Sequence, residues 1–282
     1  MQICGREFTP SEIDWIKDRI ASDPALNRMQ LSRLFCRHVN WYKPDGGLKE
    51  MSCRVAMLRL EKKGLIRLPA PRKKTGVAKA VKRTPAGESA DEIILEAGRV
   101  DIEIADVDKK TAPLWNELID RYHYLGYRRM GGAQMRFFVY AGGRLVALLG
   151  FSAAAWKVAP RDRYIGWSPE QRKSYLHLVV DNSRFLILPW VRAKNLASRI
   201  LSCMVKQLPA FWATRYNYRP FLIETFVDTE RFAGTCYKAA NWTLVGQTAG
   251  RGKWDRYNAR GKPVKTVWLY PLDRRYKERL CQ

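Results

Sequence analysis

Two carboxylates stand on one apolar run, Phe221-Leu-Ile-Glu224-Thr-Phe-Val-Asp228. Acids are rare in such a setting, because an unpaired charge taken out of water is costly. Glu224 and Asp228 share a strand face, but at about 3.3 Å per residue they lie roughly 13 Å apart, too far to act directly on one proton. Each therefore needs its own explanation. One is an ion pair with a cation such as Arg184 or Arg136, and the other is a role at the carboxyl end of the strand, where α/β sheets place function. His123 borders the helical stripe Trp115, Leu118, Ile119 and sits among Tyr122, Tyr124 and Tyr127. It reads either as a core histidine or as part of an aromatic cluster that stacks a nucleobase through its π-face.

Cations gather around these residues. Arg161-Asp162-Arg163, Trp167 and Arg172 form a polar, aromatic segment. It suits a clamp on a phosphate and a base, or equally a salt-bridged loop. Gly250-Arg251-Gly252-Lys253-Trp254 reads as a basic hairpin tip fit for a backbone contact. Asp106 and Asp181 add to Glu224 and Asp228 a set of acids that a Mg²⁺-dependent nuclease or transposase-type enzyme would use. Without that chemistry no metal site is expected.

The elements that must position these groups fall into two parts. Thr9-Pro10-Ser11-Glu12 is a helix start, with Thr9 as N-cap and Glu12 completing a capping box. Ile13, Trp15, Ile16 and Ile20 follow at helical spacing. A second helix holds Leu31, Leu34 and Phe35, and a third holds Met51, Val55 and Leu58. Lys63-Gly64 then ends in the apolar run Leu65-Ile66-Arg67-Leu68. Three helices, glycine and a short strand is the order of a winged helix-turn-helix over 1–69, with Lys49, Arg54 and Arg59 available to a groove. Residues 70–92 hold few large apolar side chains and read as a basic linker. Its Arg72, Lys73 and Lys74 either track phosphates or form a solvated tether.

From 93 to 282 the pattern is α/β. Strands are expected at 100–104, 135–140, 144–151, 176–180, 184–188, 221–228, 243–246 and 264–270. Helices are expected at 113–125, 196–211 and 231–240, and Ala141-Gly142-Gly143 marks a hairpin.

Composition narrows the partner. The 282 residues carry 51 Lys+Arg against 27 Asp+Glu, a net charge of +24, with 46% apolar residues to build a core. Such an excess points to a polyanion, and nucleic acid is the commonest. The six cysteines have no metal-ligand spacing, no secretory signal opens the sequence, and no apolar run reaches transmembrane length. A soluble, cytoplasmic protein with no membrane partner is expected.

The element order from residue 100 resembles the N-acetyltransferase-like fold. Tyr237-Lys-Ala-Ala-Asn241-Trp242 resembles that fold's final tyrosine-containing helix, with Asn241 in place of a glycine cap. The resemblance implies that Tyr237 is a candidate general acid. It also implies that His123, Glu224, Asp228 and Tyr237 meet where the two central strands part, with the Arg161–Arg172 segment as a rim. The chain departs from the fold at the turn before the long helix, Pro189-Trp-Val-Arg192-Ala-Lys194-Asn-Leu196, which lacks the glycines that grip pyrophosphate. Arg192 and Lys194 offer side-chain phosphate contacts instead. The departure argues against acetyl-CoA and leaves the cofactor unassigned.

At finer grain, six motifs are similar to the DruA family of the Druantia anti-phage defence system and of mobile-element surroundings. They are Tyr122-His-Tyr-Leu-Gly126, Ala154-Ala-Trp-Lys157, Arg161-Asp-Arg-Tyr-Ile-Gly-Trp167, Asn182-Ser-Arg-Phe-Leu186, Glu224-Thr-Phe-Val-Asp228 and Gly250-Arg-Gly252. The His-Tyr motif also resembles the phage Mom proteins, which modify adenine in DNA. The resemblance implies a DNA-acting defence or mobile-element protein, with other defence subunits as partners. It leaves open whether the α/β domain modifies DNA or only senses and recruits.

Overall fold

The Thr9 hydroxyl accepts the Glu12 N–H while the Glu12 carboxylate accepts the Thr9 N–H, so the chain enters its first helix through a closed capping box. The computed structural model describes residues 1–72, 80–95, 101–250, 261 and 263–282. The chain forms two compact units, Met1–Lys79 and Ala80–Gln282.

The first unit holds a short hairpin, β1 (Gln2–Ile3) with β2 (Arg6–Glu7), then α1 (Pro10–Ser22), α2 (Arg28–His38) and α3 (Glu50–Lys62). Phe8, Ile16, Leu31, Phe35, Trp41, Met57 and Leu60 fill its core. Two expectations change here. α3 buries Cys53, Ala56, Met57 and Leu60, whereas Met51, Val55 and Leu58 are exposed. Both stripes of this helix are apolar, so periodicity could not choose between them, and packing against α2 did. Leu65–Leu68 forms no strand. Ile66 and Leu68 are buried in the helical core, and the Leu68 N–H is taken by the Glu61 carboxylate. The winged helix-turn-helix is therefore not confirmed.

The second unit runs β3 (Ile93–Leu95), β4 (Ile102–Asp106), α4 (Ala112–Tyr122), β5 (Gln134–Ala141), β6 (Arg144–Ala153), α5 (Ala159–Ile165), α6 (Pro169–Tyr175), β7 (Val179–Ile187), β8 (Val191–Ala193), α7 (Leu196–Tyr216), β9 (Leu222–Asp228), α8 (Thr235–Ala239), β10 (Thr243–Gln247), β11 (Lys265–Pro271) and α9 (Tyr276–Leu280). β3 and β8 pair in parallel as a small separate sheet. The other strands form one mixed sheet of order β10-β11-β9-β7-β6-β5-β4. Gly142 and Gly143 both take positive φ, as the tight β5–β6 turn requires. β6 is buried over most of its length, which is why it reads as a continuous apolar run.

All neighbours in the large sheet are antiparallel except β7 and β9. These two pair in parallel only at Val179↔Leu222, Val180↔Ile223 and Asp181↔Glu224. Beyond that point β7 stays on β6 and β9 stays on β11, so the two central strands part. This order and this split make the unit an acetyltransferase-like α/β domain. Residues 176–188, expected as two strands, hold a 3₁₀ turn at Leu176–Leu178 and then one bulged strand, β7. The helix expected at 231–240 is confined to Thr235–Ala239, because Gly234 takes positive φ at its start.

Candidate functional site

The split between β7 and β9 opens into a cavity of about 480 Å³. β7 lines it with Asp181 and Arg184, β9 with Asp228, α8 with Tyr237, and β11 with Lys265. The turn after α4 contributes His123 and Tyr124, and the turn before α8 contributes Arg231 and Phe232. His123, Asp228 and Tyr237 are thus brought together, though they lie on three separate elements.

His123 ends α4 with an extended backbone, which turns it out of the helix and toward the split. Its Nδ1 accepts the Leu125 N–H at 3.2 Å. The neutral ring therefore carries its proton on Nε2 and presents a donor to the cavity. Burial, with the positive fields of Arg184 and Lys265, pulls its pKa down to about 4. His123 is a neutral hydrogen-bond donor at physiological pH and a poor general base. Its imidazole signals should show no titration between about pH 5.5 and pH 8 by NMR. A midpoint near the ordinary histidine value of about 6.5 would refute this.

The Tyr237 hydroxyl donates to Asn182 Oδ1 at 3.1 Å, and the Thr225 hydroxyl donates to the Asn182 carbonyl at 3.0 Å. Burial pushes the phenol above its ordinary range. Tyr237 is thus a protonated donor already committed to a neutral amide. Asp228 is buried, accepts the Glu230 N–H at 3.3 Å and lies 4.0 Å from Arg231 Nε. At the mouth Tyr124 packs edge-on against Phe232, with ring centroids 5.5 Å apart. The Arg231 guanidinium lies 5.3 Å from the Tyr124 ring centre. Both rings are exposed, Phe232 by 52%. Sequence reasoning missed Phe232 and Arg231 as site residues, although Glu-Arg-Phe after a strand end was the visible signal. It named Asp181 only as a metal ligand.

Glu224 is not in the cavity. Its Oε2 accepts Arg161 Nη1 at 2.8 Å and its Oε1 accepts the Ala155 N–H at 2.8 Å. Arg161 is wholly buried, reaches Asp162 through Nε and Nη2, and stacks on Trp167. The Trp167 Nε1 and Arg172 Nη1 also donate to Asp162. The expected clamp over 161–172 is therefore a pair of short helices, α5 and α6, knotted by one carboxylate. Arg161, Trp167 and Arg172 are structural there, and of the four predicted contacts only Arg163 is exposed. The candidate catalytic Glu224 is corrected to one half of a buried ion pair, with Arg161 rather than Arg184 or Arg136 as partner.

Of the other predicted nucleic-acid contacts, Arg184 lines the cavity, and Arg59, Arg72, Arg192 and Lys194 are exposed. Lys49 and Arg54 are half-buried, and Arg54 touches the Met51 sulfur. Lys73, Lys74, Arg251 and Lys253 lie outside the described residues. Asp106 pairs with Arg215 at 3.3 Å. Among the described residues no three His, Cys, Asp or Glu side chains could share a metal ion, so the four acids named for Mg²⁺ do not form one centre.

The turn opening α7 does not fit the pyrophosphate grip that the fold implies. Arg192 is engaged by Glu92 and the Pro189 carbonyl, and the bulky first helical residue Leu196 is buried. No helix among the described residues is long and apolar enough to cross a membrane.

The family model described as Druantia protein DruA matches residues 59–278, more than half of the chain. No curated protein matches the sequence. Among solved structures, the ribosomal-protein-S18-alanine N-acetyltransferase from Escherichia coli is 10% identical, with 61% of this chain and 95% of that chain covered and a TM-score of 0.39. The polyamine N-acetyltransferase of Drosophila melanogaster is 12% identical, with 61% and 100% covered and a TM-score of 0.37. The aminoglycoside acetyltransferase AAC(6')-Ib in complex with coenzyme A is 13% identical, with 64% and 98% covered and a TM-score of 0.39.

Proposed function

Because the chain belongs to the Druantia protein DruA family, a defence-associated family, we propose that it is a DNA-binding protein whose acetyltransferase-like domain takes one nucleotide of the bound DNA into the cavity between β7 and β9. The observation that carries this reading is the make-up of that cavity. Stackable rings (Tyr124, Phe232), cations (Arg184, Arg231, Lys265) and carboxylates (Asp181, Asp228) surround one space. Rings hold a base by its π-face, cations meet its phosphate, and carboxylates meet its N–H groups. The net charge of +24 would bring the polyanion to the surface. The helical unit supplies further exposed cations, Arg59 and Arg72 among them.

Whether the bound nucleotide is changed is a separate matter. His123 has its Nδ1 occupied, and Tyr237 is committed to Asn182. Neither is poised as a base near neutral pH, which favours a subunit that senses DNA and recruits other defence components over a transferase. Photocrosslinking to single-stranded DNA carrying 5-bromodeoxyuridine, followed by peptide mapping, tests the cavity. Adducts on Tyr124 or Phe232 are expected, and adducts confined to residues 1–79 would overturn the reading. Weighing the nucleosides of the same DNA after incubation separates modification, seen as a mass change, from sensing.

A further inference from the structure

Asp181 and Arg184 are three residues apart on β7, a spacing that on a regular strand points two side chains to opposite faces. Here the ladder slips. Ser152 lies opposite Asp181, Phe151 opposite Asn182, and Gly150 opposite Arg184. Ser183 is the extra residue of a β-bulge, and bulges re-aim side chains beside functional sites. Ser152 and Gly150 share a face of β6, so Asp181 and Arg184 share a face of β7, and both line the cavity.

Each of the two keeps one polar atom buried and without a hydrogen-bond partner, Oδ1 of Asp181 and Nε of Arg184. Buried polar groups in folded proteins are nearly always satisfied. Two orphans of opposite polarity on one strand face, bordering one cavity, leave an acceptor and a donor ready for a ligand that offers a donor beside an acceptor. The Watson–Crick edge of every nucleobase has that form. The exposed Tyr124 and Phe232 rings at the mouth suit a flat base, and the cavity lies within the range of about 300–1,000 Å³ usual for small-molecule sites.

We propose that Asp181 and Arg184 read the edge of the nucleobase held in this cavity. The Asp181 carboxyl takes a ring or exocyclic N–H, and the Arg184 Nε–H donates to the neighbouring ring nitrogen or carbonyl oxygen. This rests on the nucleotide-binding reading above and adds to it the selection of the base. Arg184 Nη1 donates to the Ser183 carbonyl at 2.6 Å, which pins the guanidinium to the bulge while Nε stays uncommitted. Burial, reinforced by Glu224, pushes the Asp181 carboxyl well above the usual carboxylate range, while Arg184, Lys265 and Ser152 act in the other direction.

The test is calorimetric titration of the full chain with the four deoxynucleoside 5′-monophosphates, and with deoxyribose 5-phosphate as the baseless control. One base should be preferred by about 5- to 150-fold, the discrimination of a good bidentate pair. Asp181→Asn turns an acceptor into a mixed donor and acceptor, and should change the preferred base or flatten the preference. Arg184→Gln should do the same and serves if Asp181→Asn fails to fold. Tyr124→Ala should weaken all four nucleotides alike. An unchanged ranking in both pair variants would overturn the base-reading pair and leave the cavity a nucleotide site. Equal binding of the four nucleotides and the baseless control would reduce the site to phosphate capture and also overturn it. Binding of DNA by the chain with none of the mononucleotides binding would overturn this inference together with the cavity reading.

Discussion

DNA affinity should fall by about a thousand-fold between about 50 and about 200 mM salt. Neutralising roughly six phosphates releases their condensed counterions and gives a slope of log K against log salt near −5. The sequence supplies the means, with 51 Lys+Arg against 27 Asp+Glu. Many of these cations are buried or paired, as Arg161 is, so the slope reports how many of the rest reach phosphate together. Electrophoretic shift or anisotropy titrations over this range measure it. A slope weaker than about −1 would remove nucleic acid as the main partner, and the charge would then be a solvated surface.

Arg161→Met should cost about 3–5 kcal/mol of folding stability, because it strands Glu224 as an uncompensated buried charge. The guanidinium also holds the Ala155 carbonyl at 2.8 Å and the Asp162 carboxylate, so α5 would lose its tie to β9. Burial already pushes the Glu224 carboxyl up, and Arg161 pulls it back. Without Arg161 the folded-state value rises further. A raised carboxyl stabilises the fold below its unfolded value and loses that contribution as pH climbs through the folded value. The deficit of Arg161→Met should therefore shrink as the medium is acidified. Replacing both partners by apolar residues of similar volume should recover much of the loss. Urea midpoints across pH measure this. A deficit below about 1 kcal/mol, the scale of exposed pairs, would mean that Glu224 is not the buried structural anion inferred here.

Local chemistry was legible from the sequence. The Thr9–Glu12 box, the Gly142-Gly143 turn and the apolar runs of β5 and β6 depend on residues a few positions apart, and the structure carries each of them. Most of the order of strands and helices after residue 100 followed from the same short-range periodicities, though α5, α6, β8 and α9 did not, and the split of the central strands followed from the fold that this order implies. His123 and Asp228 could be named because their residue types stood out against apolar neighbours, and Tyr237 because its helix resembles the last helix of the acetyltransferase-like fold.

Long-range pairing was not legible. Glu224 finds Arg161, 63 residues away in sequence, rather than a cation nearer to hand. Only the packing of α5 on the sheet, beside β10 and β11, decides that choice, and it turns a candidate acid into a structural anion. The face of α3 was open because both of its stripes are apolar, and α2 chose Cys53, Met57 and Leu60. The bulge at Ser183 depends on how β7 registers against β6, and nothing in Asn182-Ser-Arg184 announces it. A side-chain period of two fixes which residues share a face only once the register is known, and a single inserted residue reverses the answer. Tertiary structure alone could place Asp181 and Arg184 side by side on the wall of the cavity.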